Sequence, residues 1–385
     1  MTILKDLLAP YPLEQFLEKY WLQKAIHIST DNPQKFQRFF SWDNLNYLLN
    51  NHTLEENNLR FSMKGQLLPY SGNPQEYAKR LREGATLIVN GVHHRVPTVN
   101  ELTAHLRYDI GYPAHVNLYC SPGQQQGFNC HYDTHDVIIL QIDGEKEWFV
   151  FDETMPNPVP DMPSENENPP EGLPYLRCIL KPGDFLYIPR GHWHYAIACD
   201  KLSLHLTIGI DCQTGLDWAN SILKNLQSSP EWRASLPAII DGNTNVIERQ
   251  LYLLKQRLIE TLQQPNTIHQ YIESLNSKHQ PKLPVSLPIQ MGDDIFQDVL
   301  TTRFYWSPLH RLRVKELGQE HYQFQVGSKK IYLKGISEGF VENLCNTDEF
   351  GLFDMADWAP ELDLEADIAP IITRLVREGV LLVKY

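Results

Sequence analysis

Between residues 115 and 212 the chain breaks into short runs, 115–120, 135–142, 146–151, 176–180, 185–188 and 203–210, in which apolar residues alternate with polar ones or follow one another directly. Gly, Pro and Asp separate the runs, and many short strands with such punctuation predict a sandwich or barrel. Upstream, Leu13, Phe16, Leu17, Tyr20 and Trp21 recur at helical spacing behind Pro12, which suits a first turn. Trp42 to Leu49 predicts a second short helix and Asn100 to Arg107 a third. The apolar run from Thr86 to Asn90, between Gly84 and Gly91, predicts a buried strand. Beyond Gln213 the period becomes helical over Leu216–Leu226 and Val246–Leu262. In the second, Leu251, Leu254, Leu258 and Leu262 form one stripe, which suits either an ordinary core or the seam of a dimer. Residues 278–288 read as a Pro-rich connector. The last portion predicts a helix, two β-rich runs (Tyr322–Val326 and Lys330–Leu333), a helix over Ile368–Glu378 and a strand over Val380–Val383. Helices with a small hairpin suggest a winged helix. The expected class is α+β.

Composition narrows the partners. A chain of 385 residues, 42% hydrophobic and 11% aromatic, is long enough for two or three cores. A net charge of −13 excludes a general polyanion binder and is compatible with a basic protein or peptide as partner. Thr347 to Asp367 holds eight acidic residues and no basic ones, which speaks against DNA reading by the C-terminal unit. The start lacks the apolar core of a signal peptide, and no run approaches the ~18 apolar residues of a membrane span. The six cysteines show no CxxC spacing and read as reduced thiols, so a cytoplasmic protein is expected. Residues 152–174, rich in Pro, Asn and Glu with no Lys or Arg, read as an exposed insertion near the mouth of the barrel.

The candidate chemistry lies inside the strand region. His131 and Asp133 are two residues apart, and on a strand such positions face the same side. A third ligand from a distant strand is available in Lys181-Pro-Gly-Asp-Phe-Leu-Tyr-Ile-Pro-Arg-Gly-His-Trp-His194, where His192 competes with His194. Two histidines and one carboxylate leave coordination positions open, the arrangement that suits Fe(II) oxygenases. An H-x-D triplet alone carries little weight, and His115, His135 and His205 read as core or rim histidines rather than ligands. The ordered co-occurrence of H-x-D, Gly144-Glu-Lys-Glu-Trp148 and Pro-Gly-Asp…Gly-x-x-His is the strong signal.

With these motifs the chain resembles the JmjC-type cupin oxygenases, and among them the ribosomal-protein hydroxylases. Asn117-Leu-Tyr119, Gly127–Asp133, Leu140–Trp148, Pro182–His194 and Ser203–Thr207 carry the resemblance closely; the N-terminal helix, helical region and acidic C-terminus carry it more loosely. It implies a double-stranded β-helix (the cupin/JmjC jelly roll) with an N-terminal helical cover over residues 1–212. A helical dimerisation region and connector over 213–288 and a winged-helix domain over 289–385 complete the expected organisation. It also implies Fe(II) on His131, Asp133 and His194, with 2-oxoglutarate and O2 as co-substrates. Lys146, fifteen positions after His131, would pair with the distal carboxylate of 2-oxoglutarate, aided by Tyr119 and Thr207. Taken alone, Lys146 would read as a solvated turn lysine.

The departures from the family pattern border the substrate mouth: His192-Trp193 in place of a more apolar pair, Gly209 where human relatives carry a hydroxyl, and the long acidic insertion. The function expected is hydroxylation of an Arg or His side chain of a protein, with a ribosomal protein as leading target. The partners expected are that protein or peptide and a second copy of the chain, with no direct nucleic-acid or membrane binding. The alternatives are a tailoring hydroxylase of a peptide natural product, removal of N-methyl groups, and a non-catalytic metal-binding cupin module.

Overall fold

The computed structural model describes residues 2–69, 72–277, 283–291, 295–296, 301–327 and 329–384. The chain opens with helices α1 (Ile3–Leu8) and α2 (Leu13–Lys19), strand β1 (Ile26–Ile28) and helix α3 (Trp42–Asn51). α3 begins where it does because Ser41 and Asn44 cap each other reciprocally, which satisfies two otherwise orphaned amides. Strands β2 (Leu59–Met63) and β3 (Gln66–Leu68), helix α4 (Pro74–Arg82), strand β4 (Thr86–Val89) and helix α5 (Pro97–Ile110) follow. α5 starts on a proline and stops at Gly111, whose φ of 77° suits a left-handed C-cap.

The barrel strands are β5 (Ala114–Ser121), β6 (Asp136–Asp143), β7 (Lys146–Glu153), β8 (Leu176–Leu180), β9 (Phe185–Ile188), β10 (His192–Ala198) and β11 (Ser203–Ile210). An eight-stranded sheet runs in the order β1-β9-β6-β11-β5-β4-β2-β3, and a three-stranded sheet in the order β10-β7-β8. Alternation within the strands decides which face does what. Val116, Leu118 and Cys120 of β5 and Leu204, Leu206, Ile208 and Ile210 of β11 belong to one large core with residues of helices α1 to α5. Val137 and Ile139 of β6 pack instead with Trp148, Val150 and Leu180 of the small sheet. The remaining inward positions of β5 and β11 are His115, Asn117, Tyr119, Ser121, Ser203, His205, Thr207 and Gly209. A face this polar lines a cavity better than it fills a core.

Beyond the barrel lie α6 (Gly215–Leu226), the short α7 (Pro230–Arg233), α8 (Asn245–Gln263) and α9 (Asn266–Ser277). No residue of α8 is buried, and Leu251 and Leu262 of the expected stripe are 47% and 42% exposed. Of the expected Pro-rich connector, residues 278–282 lie outside the described residues.

The C-terminal unit has its own core around Phe304, Phe324, Phe340, Phe350, Ile372 and Leu375. Where a helix was expected to open it, the described residues show a single-turn 3-10 helix at Ile289–Met291, and residues 292–294 and 297–300 lie outside the description. The two expected β runs became three strands, β13 (Leu312–Gly318), β14 (His321–Val326) and β15 (Lys329–Lys334), after β12 (Arg303–Trp306). Helices α10 (Glu338–Asn346), α11 (Leu352–Trp358) and α12 (Ala369–Arg377) alternate with β16 (Glu349–Phe350) and β17 (Leu381–Lys384), which flank β12 in a second small sheet. This unit docks on the barrel through α5: the Tyr108 hydroxyl donates to the Leu309 carbonyl (2.8 Å) and accepts from the Arg311 amide (3.0 Å).

Among the described residues, no helix is long and apolar enough to cross a membrane.

Candidate metal and co-substrate site

The sequence reading placed His131 and Asp133 on one strand and His194 on a bend. The structure reverses this. His192–Ala198 is strand β10, and His131 meets it only through an isolated antiparallel bridge to His194. The two residues exchange both backbone hydrogen bonds, at 2.7 and 3.1 Å. Their rings lie 4.5 Å apart. Asp133 is in the loop that follows, tethered where its carbonyl accepts from the Gly191 amide at 2.9 Å. Its position therefore comes from tertiary contact, not from strand alternation.

The competition between His192 and His194 is decided by a register shift. On a regular strand the two would share a face, but the pairing of β10 with β7 slips between them. His192 shares a hydrogen bond with the Tyr175 hydroxyl (2.8 Å), whereas His194 joins His131 and Asp133. The bend before β10 needs glycine: Gly191 has φ +84°, and a Cβ there would lie 2.9 Å from both the Met155 carbonyl oxygen and the Pro158 Cδ.

One ligand atom from each of His131, Asp133 and His194 lies within 4.8 Å of the others. His194 Nε2 stands 3.6 Å from the Asp133 carboxylate. The Nδ1 of His131 donates to the Asn129 carbonyl (2.8 Å) and that of His194 to the His192 carbonyl (3.0 Å). Protons held on Nδ1 leave both Nε2 lone pairs free at the cluster, as metal-binding imidazoles require. Burial opposes charge on Asp133, but the imidazoles of His135, His131 and His194 overcome it and hold the carboxyl below its usual value. Burial, then the neighbouring His131, pushes His194 down to about 4, so its imidazole is neutral at physiological pH. A neutral histidine pair beside a carboxylate fits a divalent ion of the Fe(II) type.

Lys146 is no solvated turn lysine. It opens β7 on the inward face, is only 4% exposed, and its Nζ donates to the Ser121 hydroxyl at 2.9 Å. Burial lowers it to about 8. Tyr119 stacks on His205 at 5.1 Å with the rings 6° from parallel, and Trp148 meets His205 edge-on at 5.7 Å. Burial, then the Asp133 carboxylate, raises the Tyr119 phenol to about 12, so it remains a donor. His205 is held well below its ordinary value by burial and by Lys146, hence neutral. Thr207 lines the same cavity of about 650 Å³ as Lys146, Tyr119 and the three metal-site residues. Sequence reasoning missed Ser121 and Trp148 and left His205 as a core or rim residue. Strand alternation was the available signal, since Ser121 is two places from Tyr119 and Trp148 two from Lys146.

The insertion is mostly exposed, as expected, but its middle turns inward. Pro163, Ser164, Glu165 and Glu167 line the cavity, Ser164 is buried, and Tyr132 donates its hydroxyl to the Met162 carbonyl (3.1 Å).

Residues 97–217 match the family model of the JmjC domain. The chain is 31% identical over 216 residues to the bifunctional lysine-specific demethylase and histidyl-hydroxylase NO66 of Dictyostelium discoideum, covering 54% of this chain and 42% of that one. It is 29% identical over 252 residues to human ribosomal oxygenase 1, covering 60% and 38%. It spans about two fifths of the length of these curated relatives. The structure of YcfD, a ribosomal oxygenase from Escherichia coli in complex with cobalt and succinic acid, superposes with a TM-score of 0.61 at 19% identity, covering 98% of this chain and 99% of that one. The same fold recurs in the YcfD complex with cobalt and 2-oxoglutarate, at a TM-score of 0.58. With the barrel, the ligand cluster and residues 97–217 in agreement, the chain resembles the JmjC-domain proteins over its barrel and is similar to the ribosomal oxygenases.

Proposed function

We propose that this chain is an Fe(II)- and 2-oxoglutarate-dependent oxygenase that hydroxylates an Arg or His side chain of a protein, with a ribosomal protein as the leading substrate. The observation that carries the proposal is one cavity holding both a His-His-Asp cluster and a buried lysine that has no carboxylate partner among the described residues. His131, Asp133 and His194 would hold the iron; Lys146, Tyr119 and Thr207 would hold 2-oxoglutarate. Iron bound there supplies O2 activation, coupling decarboxylation of 2-oxoglutarate to succinate and CO2 with transfer of the second oxygen atom into a C–H bond. The residues themselves bind and orient. Lys146 presents a cation to the distal carboxylate where a charge-assisted hydrogen bond is strong, and the Tyr119 phenol adds a donor. Trp148 and His205 wall the lysine off from water. Pro163 to Glu167 cover the mouth, and their two carboxylates favour a basic segment of substrate.

The names of the relatives, a ribosomal oxygenase and a demethylase with histidyl-hydroxylase activity, support this reading and keep demethylation as its alternative. A non-catalytic cupin would have no use for the Lys146 pocket. The test is succinate formation from 2-oxoglutarate with Fe(II), together with a search for one-oxygen mass gains on host ribosomal proteins. No Fe(II)-dependent succinate would overturn the proposal. We further propose that residues 213–288 pair two chains along the α8 stripe, that 289–385 act as a winged-helix unit without nucleic-acid binding, and that the protein works in the cytoplasm.

A further inference from the structure

The outer part of the cavity wall is built in an unusual way. The inward positions of β11 run His205, Thr207, Gly209, and Gly209 pairs with His115 of β5 and Val137 of β6. A Cβ at position 209 would lie 2.4 Å from both Cε1 and Nε2 of His115, and 2.7 Å from Cδ2 of His135. The edge of the His115 ring that carries Nε2 therefore occupies the place of a β11 side chain. His115 and His135 sit with centroids 5.0 Å apart at 62°, and both line the cavity with the metal cluster. On the far side of the ring, Asp211 places a carboxylate oxygen 3.5 Å from His115 Nδ1. That charge favours the proton on Nδ1, which leaves Nε2 as a lone-pair acceptor facing the cavity.

We propose that His115, oriented by Asp211 and admitted by Gly209, is a specificity-determining residue that accepts an N–H from the target side chain beside the reacting carbon. The inference rests on the oxygenase reading and narrows it. Arginine and histidine side chains offer such an N–H. A trimethylated lysine offers none, and its methyl groups would press on an acceptor left unsatisfied. The subsite thus selects hydroxylation of a side chain that carries an N–H over removal of methyl groups from trimethyl-lysine.

The test uses the full chain loaded with Zn(II) and 2-oxoglutarate, so that binding is read without turnover. Saturation-transfer NMR measures the Nα-acetyl amides of arginine, histidine, trimethyl-lysine and norleucine. The arginine or histidine amide should bind at least about tenfold more tightly than the trimethyl-lysine amide, the scale expected when a polar site is left unpaired. His115→Phe keeps the ring volume and should erase that preference. His115→Gln, which retains an acceptor, should restore part of it. Gly209→Ala, which displaces the far end of the His115 side chain, should erase it by a second route, and thermal melting checks that each variant folds. Equal binding of all four amides to the unaltered protein, including no binding of any, overturns the inference, as does a preference that survives His115→Phe. Succinate formation by the unaltered protein with Fe(II) is assayed separately, so failure of the oxygenase reading is distinguishable from failure of this subsite.

Discussion

The two faces of β11 are made from the same eight residues and do opposite work. Leu204, Leu206, Ile208 and Ile210 are fully buried against the helical cover, whereas His205, Thr207 and Gly209 face the cavity. The outer face tolerates only apolar volume, because it is packed solid; the inner face tolerates only particular hydrogen-bonding groups, because it surrounds open space. Stability and chemistry are thereby separated by one residue step. Helix α8 is a third case, apolar along one stripe whose residues are at most half-buried among the described residues.

This separation is open to test. The sharpest case is His194→Ala, which should abolish Fe(II)-dependent 2-oxoglutarate turnover while leaving the fold intact by circular dichroism. His192→Ala, whose side chain pairs with Tyr175, should keep metal binding and uncoupled decarboxylation. A dead His192→Ala with an active His194→Ala would reverse the ligand assignment. On the other face, Leu206→Ala should cost roughly 2–5 kcal/mol of stability through the cavity it leaves, measured by denaturant unfolding. A loss of activity without loss of stability there would break the division between faces.

Lys146→Ala should raise the 2-oxoglutarate requirement about ten- to a hundredfold, since a hydrogen bond to a charged group contributes roughly 1.5–3 kcal/mol. Iron affinity should hardly move, and Lys146→Arg should be partly active in its altered shape. An unchanged 2-oxoglutarate dependence would remove the co-substrate assignment even if the metal still bound.

The pH profile sharpens the same point. Burial lowers Lys146 to about 8 in the free protein, so the lysine is a cation below that pH and loses its proton above it. A bound carboxylate favours the cation. Apparent affinity for 2-oxoglutarate should therefore be flat below about pH 8 and weaken above it, by up to about tenfold per pH unit. Titration by calorimetry at fixed ionic strength would show it, and a flat profile to pH 9 would argue against a lysine-held carboxylate.

The smallest effect is expected on α8. Leu254→Asp with Leu258→Asp should leave the barrel's stability nearly unchanged, because neither side chain is buried in the single chain. It should convert a dimer to a species near the chain's own 44.6 kDa in sedimentation. An unaltered protein that already runs at the single-chain mass would remove the dimer proposal.

The strands of the barrel were legible in the sequence because period-two alternation is a local property, written residue by residue in Val116–Ser121 and Ser203–Ile210. The helices α3, α5 and α6 were legible for a similar reason, their caps and apolar spacing lying within a few residues of one another. The metal triplet was legible as a set, by the order of its motifs. The route by which it assembles was not, because Asp133 is placed by Gly191 and His194 is turned inward by a register shift against β7. Neither partner is near in sequence. Lys146 shows the limit most clearly: Gly-Glu-Lys-Glu reads as a polar turn, and only the closure of β7 under β5 puts that lysine in the dry against Ser121. The sequence by itself determined which residues alternate, where the longer helices lie, and which side chains could bind a metal. The tertiary structure alone decided which histidine faces the cluster, what fills the space over Gly209, and how deeply a lysine is buried. Those outcomes depend on contacts between strands far apart in the chain, and local pattern does not encode distance.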